Sequence, residues 1–146
     1  MAVLLSVALA ALAVLLECGS SAVAGEYPIS GAWTVAPAKA SQIAAVERAC
    51  QAYRRKEDLA ERASAGHLVV FASGTSTWYD SRGVRVCKNI AIRPAEEKSF
   101  HLVDSCRTGS QHQQKQERYS MKRLNRLQVF ITPEGAATYE LIGCPG

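Results

Sequence analysis

The chain has 146 residues and a mass of 15.7 kDa, with 48% hydrophobic and 21% charged residues. These values describe one globular domain with its own core and exclude a disordered tail or a pair of domains. A formal charge of +4, from 17 basic and 13 acidic side chains, and five cysteines name no chemistry by themselves.

The first element in chain order is an apolar run from Val3 to Leu16, shorter than the roughly 20 residues a membrane-spanning helix needs. Ala22-Val23-Ala24 follows, with small residues at the two positions a signal peptidase reads. This predicts a signal peptide over residues 1–24, cleaved before Gly25, although its n-region carries no Lys or Arg. Residues 25–146 then form a single small periplasmic or secreted domain, with no integral membrane segment in the mature chain. Cleavage removes Glu17 and Cys18, which leaves 17 basic and 12 acidic side chains, a charge of +5, and four cysteines.

Those four, Cys50, Cys87, Cys106 and Cys144, form no CxxC pair, so a zinc site is not expected. An even number in an exported chain predicts two disulfides. Cys106 and Cys144 end β-type segments and are expected to pair, which leaves Cys50 for Cys87.

From Ser41 to Ala63, Ile43, Val46, Cys50, Tyr53 and Ala60 recur at helical spacing, with Ser41 as cap and Gly66 as stop. The other helix face mixes both charge signs and reads as a solvated surface. Beyond Gly66 the period becomes two. His67–Ala72 is β-rich and is broken by Ser73-Gly74-Thr75-Ser76; Val84 to Arg93 alternates until Pro94; Phe100 and Leu102 lead towards Cys106. Tyr119 and Met121, then Leu127, Val129 and Ile131, then Tyr139, Leu141 and Gly143 read as further strands, with a turn at 132–135. Short connections favour antiparallel pairing. The fold class this predicts is α+β: one long N-terminal helix packed on a curved antiparallel β-meander of about five or six strands.

Gly31-Ala32-Trp33 resembles the Gly-x-Trp motif that opens lipocalin-like barrels and some small bacterial metalloprotease inhibitors built on that barrel. Those families continue directly into strands, whereas here a helix follows within ten residues. Without the resemblance, Trp33 reads as a plug for one end of the core.

Residues that carry chemistry are few. His67, His101 and His112 form no HxH, HExxH or i, i+4 pair, and no glycine cluster cradles a phosphate. Neither a metal nor a cofactor is expected, and the chain reads as non-enzymatic more than enzymatic. The one hydrolase reading is a small secreted ribonuclease using Glu97, His101 and Arg107 as base, acid and phosphate holder.

Arg107 to Arg126 stands apart. It holds Arg107, Lys115, Arg118, Lys122, Arg123 and Arg126 against the single acid Glu117, a net +5 that equals the whole mature charge. Such a patch suits an acidic protein or an anionic surface. It lacks the aromatic interleaving of a nucleic-acid platform, so nucleic acid is not the expected partner. The leading functional reading is an exported non-enzymatic binding or inhibitory module that presents this basic strand and loop. The alternative is a lipocalin-like carrier whose sheet curls around a small apolar ligand, lined by Trp33, Trp78, Phe100 and Tyr139.

Overall fold

A computed structural model describes residues 23–146. The predicted signal peptide falls almost wholly outside the described residues. The described residues form eight strands: β1 Gly31–Val35, β2 Leu68–Ala72, β3 Thr75–Asp80, β4 Gly83–Pro94, β5 Ser99–Thr108, β6 Lys115–Asn125, β7 Gln128–Pro133 and β8 Tyr139–Gly143. Each pairs antiparallel with its neighbour in sequence, and β8 returns to β1, closing an up-and-down barrel. Closure satisfies the ladder groups that an open sheet would leave exposed at its edges.

This corrects the expected long helix on a meander of five or six strands. Two strands escape the periodicity. Only Ser73 and Gly74, both at positive φ, make the β2–β3 turn; Thr75 and Ser76 already pair with Ala72 and Phe71 and begin β3. Gly31–Val35 is too short to show an alternation, yet it pairs with both β2 and β8 and completes the ring. Once closed, the sheet packs its interior by itself and has no open inner face for a helix to cover.

The helical stretch lies outside the wall, between β1 and β2, and is broken. Helix α1 spans Ile43–Arg54 and helix α2 spans Leu59–Arg62. Lys56 turns the chain at a φ of 56°, and the Asp58 carboxylate then accepts from the N–H groups of Ala60 and Glu61, which starts α2 afresh. Ser41 caps nothing here, and Ile43 is exposed rather than buried. Helix α1 instead buries Ala49, which joins Ala63 of the following turn and Ala32 and Leu68 of the wall in a small second core. Gly66 allows this close approach, since a Cβ there would lie 2.5 Å from that of Ala49.

The disulfides also differ from expectation. Cys50 pairs with Cys144, and Cys87 with Cys106. Cys87 and Cys106 face each other in register across β4 and β5, with Cα atoms 4.0 Å apart, and both are buried in the barrel. The barrel wall separates them from α1, so Cys50 meets instead the segment after β8, which runs along the outside. Two disulfides of this kind belong to a chain that folds in an oxidising, extracellular-type compartment. No helix among the described residues is long and apolar enough to cross a membrane.

Inside, Trp33, Val69, Phe71, Leu102, Met121, Val129, Ile131 and Leu141 form the main core. Residues 23–30 close the end at the β2–β3 turn: Val23 pairs with Ile92, the Gly25 N–H donates to Asn89 Oδ1 at 3.2 Å, and Tyr27 and Ile29 are buried in that core. Trp33 is fully packed there, its indole N–H donating to the Ser30 carbonyl at 3.0 Å.

Candidate functional site

The opposite end of the barrel is open. A cavity of about 650 Å³ enters between the β3–β4, β5–β6 and β7–β8 connections. Trp78, Tyr119, Tyr139, Val35 and Ile131 give it aromatic and aliphatic walls, while Arg85, Asp104 and Glu117 bring charge into it. The pleat explains these positions. Arg85 and Cys87 share a face of β4, Asp104 and Cys106 share one of β5, and Glu117, Tyr119 and Met121 share one of β6. The buried cysteines and Met121 fix that face as the inner one.

Asp104 forms the floor and is 1% exposed. Its Oδ2 accepts from the hydroxyls of Tyr27 and Tyr119, each at 2.8 Å, and its Oδ1 accepts from Asn89 Nδ2 at 3.0 Å. Burial raises the pKa of both phenols far above the ordinary tyrosine value, and the neighbouring Asp104 charge adds to this. Each therefore keeps its proton and remains a donor. Asp104 thus joins the plug, through Tyr27, to the cup wall, through Tyr119. All three of its partners are neutral, and no cation among the described residues pairs with it. Buried charges are ordinarily paired, because taking a carboxylate out of water is costly.

Higher on the wall, Arg85 Nη1 lies 2.9 and 3.1 Å from the two oxygens of Glu117, and its guanidinium stacks 4.8 Å from the Trp78 ring centre. Its Nε is buried without an acceptor. The Trp78 indole N–H donates to Ser76 Oγ at 3.0 Å, which fixes the ring. Tyr139 is pushed up to about 12 by burial. At the rim Asp80 pairs with Arg82 at 3.2 Å; burial alone would raise its pKa, but hydrogen bonds from Arg82 hold it below the usual carboxylate value.

The wall sorts the basic residues read from the sequence into three places. Lys115 stands at the cup rim. Arg107, Arg118 and Lys122 are exposed on the outer face of β5 and β6, and Arg118 also reaches the rim. Arg123 and Arg126 lie at the β6–β7 turn, at the plugged end. Of the four aromatic residues expected to line a cavity, Trp78 and Tyr139 do so; Trp33 lies in the core and Phe100 packs against that core. Glu97, His101 and Arg107 do not converge: Glu97 is in the β4–β5 turn, and His101 and Arg107 are six positions apart along β5, about 20 Å. Cys87, Cys106 and Glu117 group within 4.8 Å, but the sulfurs form a disulfide and offer no thiolate to a metal.

Sequence reasoning missed Arg85, Asp104 and Glu117. The available signal was parity: Asp104 alternates with Leu102 and Cys106, two residues that belong inside.

By fold and site the protein is a closed eight-stranded antiparallel barrel with a polar, aromatic-walled cup at one end. No protein-family model, curated protein or solved structure matches the chain.

Proposed function

We propose that the protein is a lipocalin-like carrier that holds a small organic cation, an amine attached to an aromatic or compact apolar body, in the cup of the barrel. The observation that carries this reading is Asp104, a buried carboxylate on the cup floor whose partners are all neutral donors. The cavity of about 650 Å³ lies within the usual range for small-ligand sites, about 300 to 1,000 Å³. Trp78, Tyr119 and Tyr139 offer ring faces to a cation and its apolar body. The single deep guanidinium is already neutralised by Glu117, so the floor keeps an unbalanced negative charge. A purely apolar ligand would leave that charge facing hydrocarbon, which is why the ligand class shifts from apolar to cationic.

The test uses Trp33→Phe protein, in which Trp78 is the remaining fluorophore, titrated with an arylalkylamine, the matching arylalkyl carboxylic acid and the matching alcohol. The amine is expected to change Trp78 emission saturably and to outcompete the other two. Asp104→Asn should weaken the amine by about tenfold to a hundredfold, the loss of one charge-assisted hydrogen bond of roughly 1.5–3 kcal/mol. Equal affinity for the acid or the alcohol would remove the cationic reading.

A further inference from the structure

The charge on the outer wall follows a different rule from the charge in the cup. The outward positions of β4, β5 and β6 carry five cations, Lys88, Arg93, Arg107, Arg118 and Lys122, and no acid. All five are exposed, and none forms a salt bridge among the described residues. The nearest acids stand at the margins: Glu96 and Glu97 in the β4–β5 turn, and Glu134 where the chain leaves β7 beside Arg118.

Register turns this composition into a pattern. Along β5, Arg107 faces Val86; Ser105 faces Lys88; Val103 lies between Ala91 and Arg118; His101 lies between Arg93 and Ser120; and Ser99 faces Lys122. Each successive cross-strand row therefore holds one of the five cations. The rows are two residues apart on β5, so the strip runs about 27 Å from Arg107 to Lys122. Ser99, Val103 and Ser105 are short side chains along its middle, and the longer cations of β4 and β6 stand on either side. Arg93, His101, Arg118, Thr132 and the single acid Glu134 border a depression of about 460 Å³ beside the inner rows of the strip, where His101 Nδ1 lies 3.0 Å from Ser120 Oγ.

We propose that this strip binds a linear sulfated polysaccharide, independently of the cup. A row of singly spaced, unpaired cations matches a chain that carries anionic groups at regular intervals. None of the outward positions on these three strands is Phe, Tyr or Trp, so there is no platform for stacking nucleotide bases. A low floor between flanking cations suits a narrow chain better than a flat protein face. Two disulfides also suit an oxidising, extracellular-type compartment, where such glycans occur.

The experiment titrates the disulfide-bonded protein calorimetrically with heparin-derived oligosaccharides of increasing length. Affinity should rise until the oligosaccharide spans about 27 Å and then level off. It should fall steeply with salt, and the combined Lys88→Ser, Arg93→Ser and Lys122→Ser variant should lose about tenfold or more. Arg48→Ser with Arg62→Ser, exposed on the helices between β1 and β2, should leave glycan binding unchanged. Amine binding in the cup should be the same in both variants, which separates this proposal from the carrier reading. Undiminished glycan affinity in the strip variant would overturn the proposal. So would single-stranded DNA, polyglutamate or anionic vesicles binding as tightly as the glycan at matched charge.

Discussion

The inner and outer faces of β4, β5 and β6 are made by the same three stretches of chain, yet one carries both charge signs and the other only cations. Inside, the two acids Asp104 and Glu117 stand with Arg85 and, at the rim, Lys115; outside are Lys88, Arg93, Arg107, Arg118 and Lys122 with no acid. In a strand, adjacent residues point to opposite faces, so Glu117 and Arg118 are neighbours in sequence but separated by the barrel wall. The difference teaches that the net charge of a segment says little about either face of a barrel. The +5 between Arg107 and Arg126 adds together Glu117 and Lys115 of the cup, Arg107, Arg118 and Lys122 of the outer wall, and Arg123 and Arg126 at the plugged end.

The largest expected effect comes from breaking the inner network. Asp104→Leu removes three hydrogen bonds at once and leaves the Tyr119 hydroxyl with no acceptor, while Tyr27 keeps Ser76 Oγ and Asn89 keeps the carbonyls of Ala91 and Val103; each lost bond costs about 1–1.5 kcal/mol and the orphaned hydroxyl about 1–3 more. Urea unfolding should show a loss of about 5 kcal/mol, a substantial part of the total stability of a small domain. Tyr27→Phe removes one donor and leaves the other two bonded, so it should cost only about 1 kcal/mol. A similar small loss for Asp104→Leu would mean the carboxylate is not the joint between plug and cup.

The two disulfides extend the comparison to the covalent level. Cys50–Cys144 lies outside and closes a sequence separation of 94, whereas Cys87–Cys106 lies inside and closes one of 19. Loop-closure entropy assigns about 4–5 kcal/mol to the first and about 3 to the second. Paired Cys→Ala replacements compared by urea unfolding should keep that order. The inner bridge links strands already held in register by the β4–β5 ladder, so its removal should leave the far-ultraviolet spectrum unchanged. The reverse order would show that the inner bridge restrains more than its own hairpin.

An alkaline titration separates the interior from the exterior by proton release. Burial raises the pKa of Tyr27 and Tyr119 well above the ordinary value near 10 and that of Tyr139 to about 12. Above about pH 10 the unfolded chain releases phenolic protons that the folded chain retains, so the folded state binds more protons and its stability falls as pH rises. Each such tyrosine should remove about 1.4 kcal/mol per pH unit until its folded-state value is reached. Ultraviolet absorbance of tyrosinate should rise in two stages, the second coinciding with unfolding. A single stage near pH 10, with the fold intact, would mean that water reaches these phenols.

Much of the wall was legible in the sequence, but its closure and its inside were not. β2 and β4 to β8 announce themselves by alternation and turn residues, while β1 is too short and β3, Thr75–Asp80, mixes polar and aromatic side chains on both faces. Sidedness failed in β4. Val84, Val86 and Ile90 look like the buried set, yet Val86 and Ile90 are 38% and 37% exposed, and Arg85, Cys87 and Asn89 face inward. Near the cup the interior is polar, so hydrophobicity points to the wrong face. A register shift between Asn89 and Ala91 then reverses the parity and brings Ile92 inside, so no single alternation describes the strand. The helix break was legible in principle, since Asp58 followed three residues later by Glu61 is a helix-start signal within the stretch read as one helix.

The smallest effect should come from the outer face, where stability ought to be almost indifferent to charge. Lys88, Arg93 and Lys122 make no ion pair and are exposed, so removing any one takes away no native contact of consequence. Surface changes of this kind usually stay within about 0.5 kcal/mol. Five cations without an intervening acid also repel one another, so Lys88→Ser or Lys122→Ser should leave urea stability unchanged or raise it slightly at low salt, with the gain fading as salt screens the repulsion. A loss well above 0.5 kcal/mol would mean that these side chains hold the fold together. A neutral or favourable result means that folding does not require this row of cations, and that the reason for keeping it lies in what the wall meets outside.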